Sequence, residues 1–153
     1  MQIKMFAILF AAISAGSIRR TQKNQIVRLY SSKTGRHLTI DNDRVSSTEE
    51  ISNEYSNVQF VQTGLNQFAI QGLKTGFYIK RSSSRRALKV TSKLEKAAIF
   101  TQKDNYNDNY SVFKLVKNEK CKLIIKNNGK PSISCNDNKK DSFLPRHAHH
   151  KRA

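Results

Sequence analysis

Residues 33–40 read KTGRHLTI, and residues 74–81 read KTGFYIKR. The second stretch repeats the pattern of the first at an offset of 41 residues. The aligned pairs are Gly35 with Gly76, His37 with Tyr78, and Leu38 with Ile79. A strand-like run precedes each copy, so the repeated unit is a strand, a polar turn with glycine and a second strand. Self-similarity at this spacing predicts stacked or pseudosymmetric units.

Short runs rich in β-branched and aromatic residues recur along the chain. Many of them alternate apolar with polar residues, and turn residues such as Asn, Gly, Ser and Asp separate them. No long stretch has the 3.6-residue period of a helix. The pattern therefore predicts an all-β sandwich or barrel. The runs are IVRLYS, RHLTI, VQFVQT, QFAIQGL, GFYIKR, ALKVTS, AAIFTQ, SVFKLV and CKLIIK.

A weaker third copy extends the repeat. Residues 113–126, FKLVKNEKCKLIIK, again read as strand, polar turn and strand, and Leu123 follows Ile79 by 44 residues. Three units of roughly 40 residues, each of about four strands, predict a β-trefoil. In that fold, a six-stranded barrel is closed by three hairpins. The alternative is a β-sandwich that contains two similar hairpins.

The charge of the chain predicts a polyanionic partner. Its 153 residues suit one domain with a buried core. They include 28 Lys and Arg against 11 Asp and Glu, a formal net charge of +17. Such an excess favours association with nucleic acid, an anionic membrane surface or a sulfated polysaccharide. Charge alone does not choose among them.

The first 17 residues favour the polysaccharide. Lys4 is their only charge, and it precedes the nine-residue apolar run MFAILFAAI and then SAGS. This is the order of a secretory signal peptide, with cleavage expected near residues 14–17. The run is too short to span a bilayer, which takes about 20 residues, so we expect no membrane insertion. The alternative is a buried N-terminal strand or helix.

Secretion makes a heparan-type glycan a better candidate than nucleic acid. The predicted organisation is a signal peptide (1–17), a β-trefoil domain (18–147) and a basic disordered tail (148–153). We expect an extracellular protein. Asn109-Tyr110-Ser111 is an acceptor sequence for N-glycosylation.

The two cysteines leave two possibilities open. Cys121 and Cys135 lie 14 residues apart, with Asn128-Gly129 midway. In a hairpin the pair can face each other, and export permits a disulfide. Two free thiols are the alternative, because disulfide geometry is strict. The spacing matches no zinc motif.

Nothing in the sequence points to catalysis. The four histidines are His37 and three near the C-terminus, outside any Ser/His/Asp or metal-ligand pattern. No glycine-rich phosphate loop is present. We therefore expect no enzyme activity, no cofactor and no metal site.

With these features the chain resembles the fibroblast growth factors. The order and spacing of the matching segments hold from about Ile26 to His147. Ser31 and Ala98 stand where cysteines are common in the family, and the loop after Gly129 is shorter and less basic. The chain is therefore similar to a divergent member. The matching segments are RLYSSKTGRHLTI (28–40), GLKTGFYI (72–79), AAIF (97–100), IIKNNGKP (124–131) and FLPR (143–146).

The resemblance implies a heparan sulfate site at the third-repeat turn and the first hairpin turn. Several lysines on one face would act together on repeated sulfates, and amides of an Asn-Gly turn would add hydrogen bonds. The alternative is a solvated charged loop. A second basic segment, RSSSRRALK (81–89), and the basic tail also compete. The heparin-binding candidates are Lys33, Lys126, Asn127, Lys130, Lys139 and Lys140.

The resemblance also implies a face for the ectodomain of a receptor tyrosine kinase of the fibroblast growth factor receptor type. It maps onto Tyr30, a central tyrosine and Leu144. The central position is either Tyr106-Asn107, which matches the motif by letters, or Tyr110, which matches by length. A glycan on the adjacent asparagine, Asn109, would obstruct a contact at Tyr110.

The expected function is that of a secreted growth factor that binds heparan sulfate and activates such a receptor. Two other classes remain. One is a different β-trefoil protein, either a cytokine or a carbohydrate-binding lectin; the absence of tryptophan argues against the Gln-x-Trp repeat of trefoil lectins. The other is a basic nucleic-acid-binding protein that retains its first 17 residues.

Overall fold

The computed structural model describes residues 25–83, 87–105 and 108–147. The predicted signal peptide, the predicted tail and Tyr106-Asn107 lie outside the described residues. Twelve strands and two short 3-10 helices form the described part. The strands are β1 (Val27–Ser31), β2 (His37–Ile40), β3 (Val45–Thr48), β4 (Val58–Gly64), β5 (Gln67–Gly72), β6 (Tyr78–Arg81), β7 (Leu88–Thr91), β8 (Ile99–Asp104), β9 (Ser111–Leu115), β10 (Lys122–Ile125), β11 (Pro131–Ser134) and β12 (Phe143–His147). The 3-10 helices are Glu54–Ser56 and Lys96–Ala98.

Six of the strands close into a barrel. Every pairing is antiparallel, and the ring runs β1, β4, β5, β8, β9, β12 and back to β1. The other six strands form the hairpins β2–β3, β6–β7 and β10–β11, whose second strands contact one another. This is the predicted β-trefoil. The closed ring excludes the sandwich alternative.

The paired KTG stretches form the same turn twice. In the first copy, Ser31 N–H donates to the carbonyl of Arg36 at 2.8 Å, and Gly35 N–H donates to the carbonyl of Ser31 at 2.9 Å. The residues 41 positions later make the same two bonds at 2.8 and 2.9 Å. Gly35 has φ +71° and Gly76 has φ +77°, a left-handed conformation that is costly for other residues. The repeat is therefore architectural.

The third copy links its strands through a turn that is one residue longer and has no glycine. There, Leu115 N–H donates to the carbonyl of Cys121 at 3.0 Å, which closes the corresponding link between β9 and β10. The aliphatic residue of each copy is buried: Leu38, Ile79 and Leu123 have no exposed surface. The three units thus share one core.

Aromatic side chains fill the barrel interior. The Phe113 ring packs against those of Phe60, Phe68 and Phe143, with centroids 5.7 to 5.9 Å apart. Full burial of such a side chain stabilises a fold by about 1.5–3 kcal/mol. This core anchors β9 and β12, the strands beside the predicted receptor face.

Candidate functional site

One buried carboxylate connects the elements of the predicted glycan site. Asp141 is only 4% exposed. Its carboxylate accepts hydrogen bonds from Ser31 Oγ at 2.9 and 3.0 Å, and from Ile125 N–H at 2.9 Å. It also accepts a longer bond from Lys33 N–H at 3.3 Å. Asp141 therefore ties the β1–β2 turn to the end of β10.

Ser31 has a structural role that a cysteine would not reproduce. It stands where the resemblance expects a cysteine, and it is fully buried. Its hydroxyl donates to Asp141 and accepts from Thr34 N–H at 3.2 Å. A thiol is a weak donor, so the exchange to serine matches the carboxylate beside it. Ala98, at the other such position, is also fully buried.

The predicted glycan residues form one exposed group around this carboxylate. Ile125 directly precedes Lys126, and Lys140 directly precedes Asp141, so their backbones and that of Lys33 meet there. The Lys126 N–H donates to the carbonyl of Lys130 at 3.0 Å and closes the third-hairpin turn. All members are exposed. We call Lys33, Lys126, Asn127, Lys130, Lys139 and Lys140 the basic turn cluster.

The lysines of the basic turn cluster have no acidic partner within the described residues. A cation without an internal partner keeps its full attraction for an external anion. Five such cations on neighbouring turns make a concentrated positive surface. The ion pairs of the described part are Arg36–Glu49, Lys74–Glu54 and Lys80–Glu95.

Arg36 lies against this cluster, although nothing in the sequence analysis selected it. Its Nε donates to Ser47 Oγ at 2.7 Å, and its Nη2 donates to the carbonyl of Ser47 at 3.0 Å. Ser47 Oγ in turn donates to the carbonyl of Gly129. A methyl group at Gly129 would lie 3.1 Å from Arg36 Nε. The available signal was the difference between the two KTG copies, since the second has Phe77 at this position.

A disulfide links the strands of the third hairpin. Lys122 pairs with Ser134 in the β10–β11 register, so Cys121 and Cys135 are the next pair along, and the structure joins them. The described chain has a disulfide here rather than two free thiols. Lys122 Nζ donates to the carbonyl of Asn136 at 3.2 Å and fastens the start of the following loop.

Three of the predicted receptor residues lie on, or directly before, neighbouring strands. Tyr30 of β1 is the register partner of Leu144 of β12. On the other side of β12, Phe143 pairs with Ser111, the first residue of β9, and Tyr110 directly precedes it. We call Tyr30, Leu144 and Tyr110 the aromatic row. All three are partly exposed.

The two candidates for the central receptor position, Tyr106-Asn107 and Tyr110, both stay predictions. Tyr110 joins the aromatic row, whereas Tyr106 and Asn107 lie outside the described residues. Asn109 is exposed, as an acceptor for a glycan must be. Because it directly precedes Tyr110, a glycan there would crowd the end of the aromatic row.

The Tyr30 ring contacts the side chains of two neighbouring residues. The His37 ring lies 5.4 Å from it, centroid to centroid, at an interplanar angle of 58°. The Arg146 Cζ lies 5.2 Å from the same centroid, within the range of a cation–π contact. These contacts support one side of the Tyr30 ring while part of the residue stays exposed.

His37 is neutral at physiological pH. It is 3% exposed, and burial, followed by the charges of Arg146 and Arg28, lowers the pKa of its imidazole below 6.5. Its Nδ1 has no hydrogen-bond partner within the described residues. A proton added here would meet two positive neighbours and little water.

Two classes of site are absent from the part of the chain that the structure describes. No group of three or more His, Cys, Asp or Glu side chains comes together there as a metal site would require. No helix there has the length and apolar character needed to cross a membrane.

Comparison with known proteins agrees with this architecture. A comparison with curated protein sequences gave no match. The family model described as "Fibroblast growth factor" matches residues 25–144, which cover the three hairpins, the barrel up to the start of β12, and every member of the basic turn cluster and the aromatic row. The family is one of signalling growth factors rather than enzymes. The chain belongs to the fibroblast growth factor family.

Proposed function

We propose that the chain is a secreted growth factor that binds heparan sulfate through the basic turn cluster. Through the aromatic row it would activate a receptor tyrosine kinase of the fibroblast growth factor receptor type. The observation that carries the proposal is the convergence of the Lys33 and Ile125 backbone amides on the carboxylate of Asp141, directly beside Lys126 and Lys140 in the chain. That convergence holds cations from distant parts of the chain on one exposed surface.

Heparan sulfate suits this surface for a physical reason. Sulfates are fixed anions repeated along the polymer, so several lysines can act on one chain at once. Binding releases the counterions that surround the polymer, which makes it strong and dependent on salt. A disordered lysine cluster would lose more entropy on binding than one whose backbone is already fixed by Asp141.

The aromatic row has the properties of an interface anchor. Tyrosine buries a large amphipathic surface and has few rotors to freeze. Leu144 adds an apolar neighbour between the two tyrosines. With glycan on one surface and receptor on the other, each weak contact raises the effective concentration for the other. Two receptors held close together in this way would phosphorylate each other.

Heparin affinity tests the glycan half. Alanine at Lys126, Lys130, Lys139 and Lys140 is expected to lower the salt concentration at which the protein elutes from heparin. The matched control replaces four exposed lysines outside the cluster and has the same charge: Lys93, Lys103, Lys117 and Lys120. Equal loss in the two variants would mean that only net charge matters, and would contradict the assigned site.

Binding to an immobilised receptor ectodomain tests the receptor half. Leu144→Ala and Tyr110→Ala are expected to weaken binding about tenfold each, since anchor residues contribute more than 1 kcal/mol. Ile51→Ala, at an exposed apolar residue outside the aromatic row, is the control. Unchanged affinity in both row variants, with unchanged melting temperature, would contradict the assigned face.

Export tests the proposed signal peptide. Protein collected from the medium of expressing cells is expected to begin near Ser17 or Ile18. Protein that retains residues 1–17, or that stays in the cells, would contradict secretion by this route. The same sample shows whether Asn109 carries a glycan, since glycosidase treatment would then lower its mass.

A further inference from the structure

Arg36 is a fixed cation at the edge of the basic turn cluster. Its guanidinium makes two bonds to Ser47, at 2.7 and 3.0 Å, and these hold it in place. Its side chain is still 29% exposed. Because Gly129 has no side chain, the third-hairpin turn lies directly beside the guanidinium. The positive charge of Arg36 therefore faces the same turn that carries Lys126 and Lys130.

The remaining nitrogen of Arg36 is taken by an acidic side chain. Arg36 Nη1 lies 3.4 Å from Glu49 Oε2. The two residues follow the β2–β3 register, in which His37 pairs with Thr48, so they face each other at the base of the first hairpin. Glu49 places a negative charge at the edge of a surface that otherwise attracts anions.

The two partners of this ion pair are held unequally. Arg36 stays in place through Ser47 whether or not Glu49 is present. The Glu49 side chain is 76% exposed, and a single contact of 3.4 Å holds it. An exposed ion pair of this kind contributes little stability and is screened by salt. Glu49 can therefore swing into solvent at small cost while the guanidinium remains.

We propose that Arg36 belongs to the glycan site and that Glu49 is an internal competitor for it. In the free protein the carboxylate of Glu49 occupies Arg36 Nη1. A sulfate bound at the third-hairpin turn displaces it and takes over that nitrogen together with the nearby lysines. The inference rests on the proposed heparan sulfate function and adds an autoinhibitory contact to it. The need to displace Glu49 therefore lowers the net affinity of the site for sulfate.

The neighbouring Glu50 provides a matched control. Glu49→Gln and Glu50→Gln change the net charge equally, at adjacent exposed positions, but only Glu49 contacts Arg36. Dissociation constants for heparin are measured at fixed salt for both variants, with desulfated heparin as a second probe. Glu49→Gln is expected to bind heparin about two- to fivefold more tightly than Glu50→Gln, the factor an exposed ion pair supplies. With desulfated heparin the two are expected to be equal.

A double-mutant cycle that combines changes at Glu49 and Arg36 completes the test. In an Arg36→Gln background, Glu49→Gln is expected to give no more gain than Glu50→Gln. Arg36→Met, which keeps the length of the side chain but removes its charge, serves if the glutamine variant melts early. Equal affinity of the two single variants for heparin, or a Glu49 gain that persists without Arg36, would overturn the competition. A wild-type protein retained no better by heparin than by a sulfonate resin would instead overturn the proposed glycan function, and this inference with it.

Discussion

The substitution Asp141→Asn tests how strongly one side chain holds the proposed glycan site together. The carboxylate is buried, and both of its oxygens accept hydrogen bonds. One oxygen faces Ile125 N–H, and the other faces Lys33 N–H and Ser142 N–H. An asparagine has only one oxygen. Either orientation of its amide therefore turns an NH2 group toward a backbone donor.

The expected loss follows from these contacts. A hydrogen bond to a charged group contributes about 1.5–3 kcal/mol, and a buried donor left without an acceptor costs about 1–3 kcal/mol more. Together they predict a loss of about 3–5 kcal/mol, a large part of the roughly 5–15 kcal/mol by which domains are stable. For a domain of this size, the melting temperature should fall by about 10–20 °C.

Urea unfolding followed by circular dichroism measures this loss, because the chain has no tryptophan for fluorescence. Asp137→Asn is the control: it makes the same chemical change in the same loop, but at an exposed residue. The control is expected to stay within about 0.5 kcal/mol of the wild type. A loss below about 1 kcal/mol for Asp141→Asn would refute the argument, since it would mean that water or rearrangement satisfies these donors.

Two further predictions concern the third-hairpin turn and the buried histidine. Gly129→Ala should cost more stability and more heparin affinity than Gly76→Ala. Both glycines have a positive φ, a backbone conformation that costs any other residue about 1–2 kcal/mol. Only the methyl group at position 129 would press on Arg36, because a methyl group at position 76 would meet nothing within 4 Å. Equal urea midpoints and equal heparin elution would contradict this. Because the pKa of His37 is lowered in the folded state, the unfolded chain binds the proton more readily, and stability is lost as pH falls through 6.5. His37→Phe should therefore show a smaller fall in melting temperature between pH 7.5 and 5.5 than the wild type; parallel curves would refute this cause.

Most of the strands could be predicted from local sequence, and the exceptions share a cause. The nine apolar runs correspond to nine of the strands in the described chain. The three without such a run are β3, β11 and β12. β3 reads VSST, β11 begins with Pro131, and β12 contains Pro145, so polar residues or proline weaken the local signal. Their partners in the barrel and hairpins make them strands.

The proposed functional residues also divide into those that the sequence predicted and those that only the structure revealed. The resemblance selected the basic turn cluster and the aromatic row, with Tyr110 as one of two candidates for the central position, because these residues lie in recognisable segments. It did not select Arg36, whose role depends on Gly129, more than 90 residues away. The structural role of Asp141 could not be predicted from the sequence either, because its hydrogen-bond donors belong to Ser31 and Ile125, which are far apart in the chain.

The sequence by itself determined the repeated unit of this protein. A left-handed glycine, a buried aliphatic residue and the strands around them are local requirements of backbone conformation and burial, so they appear as a pattern at an offset of 41 residues. Only the tertiary structure decided which surface residues meet. Closing the ring between β1 and β12 brings Lys33 to within a hydrogen bond of Asp141, across 108 residues of sequence. Such a contact has no local signature, because it depends on how the whole barrel closes.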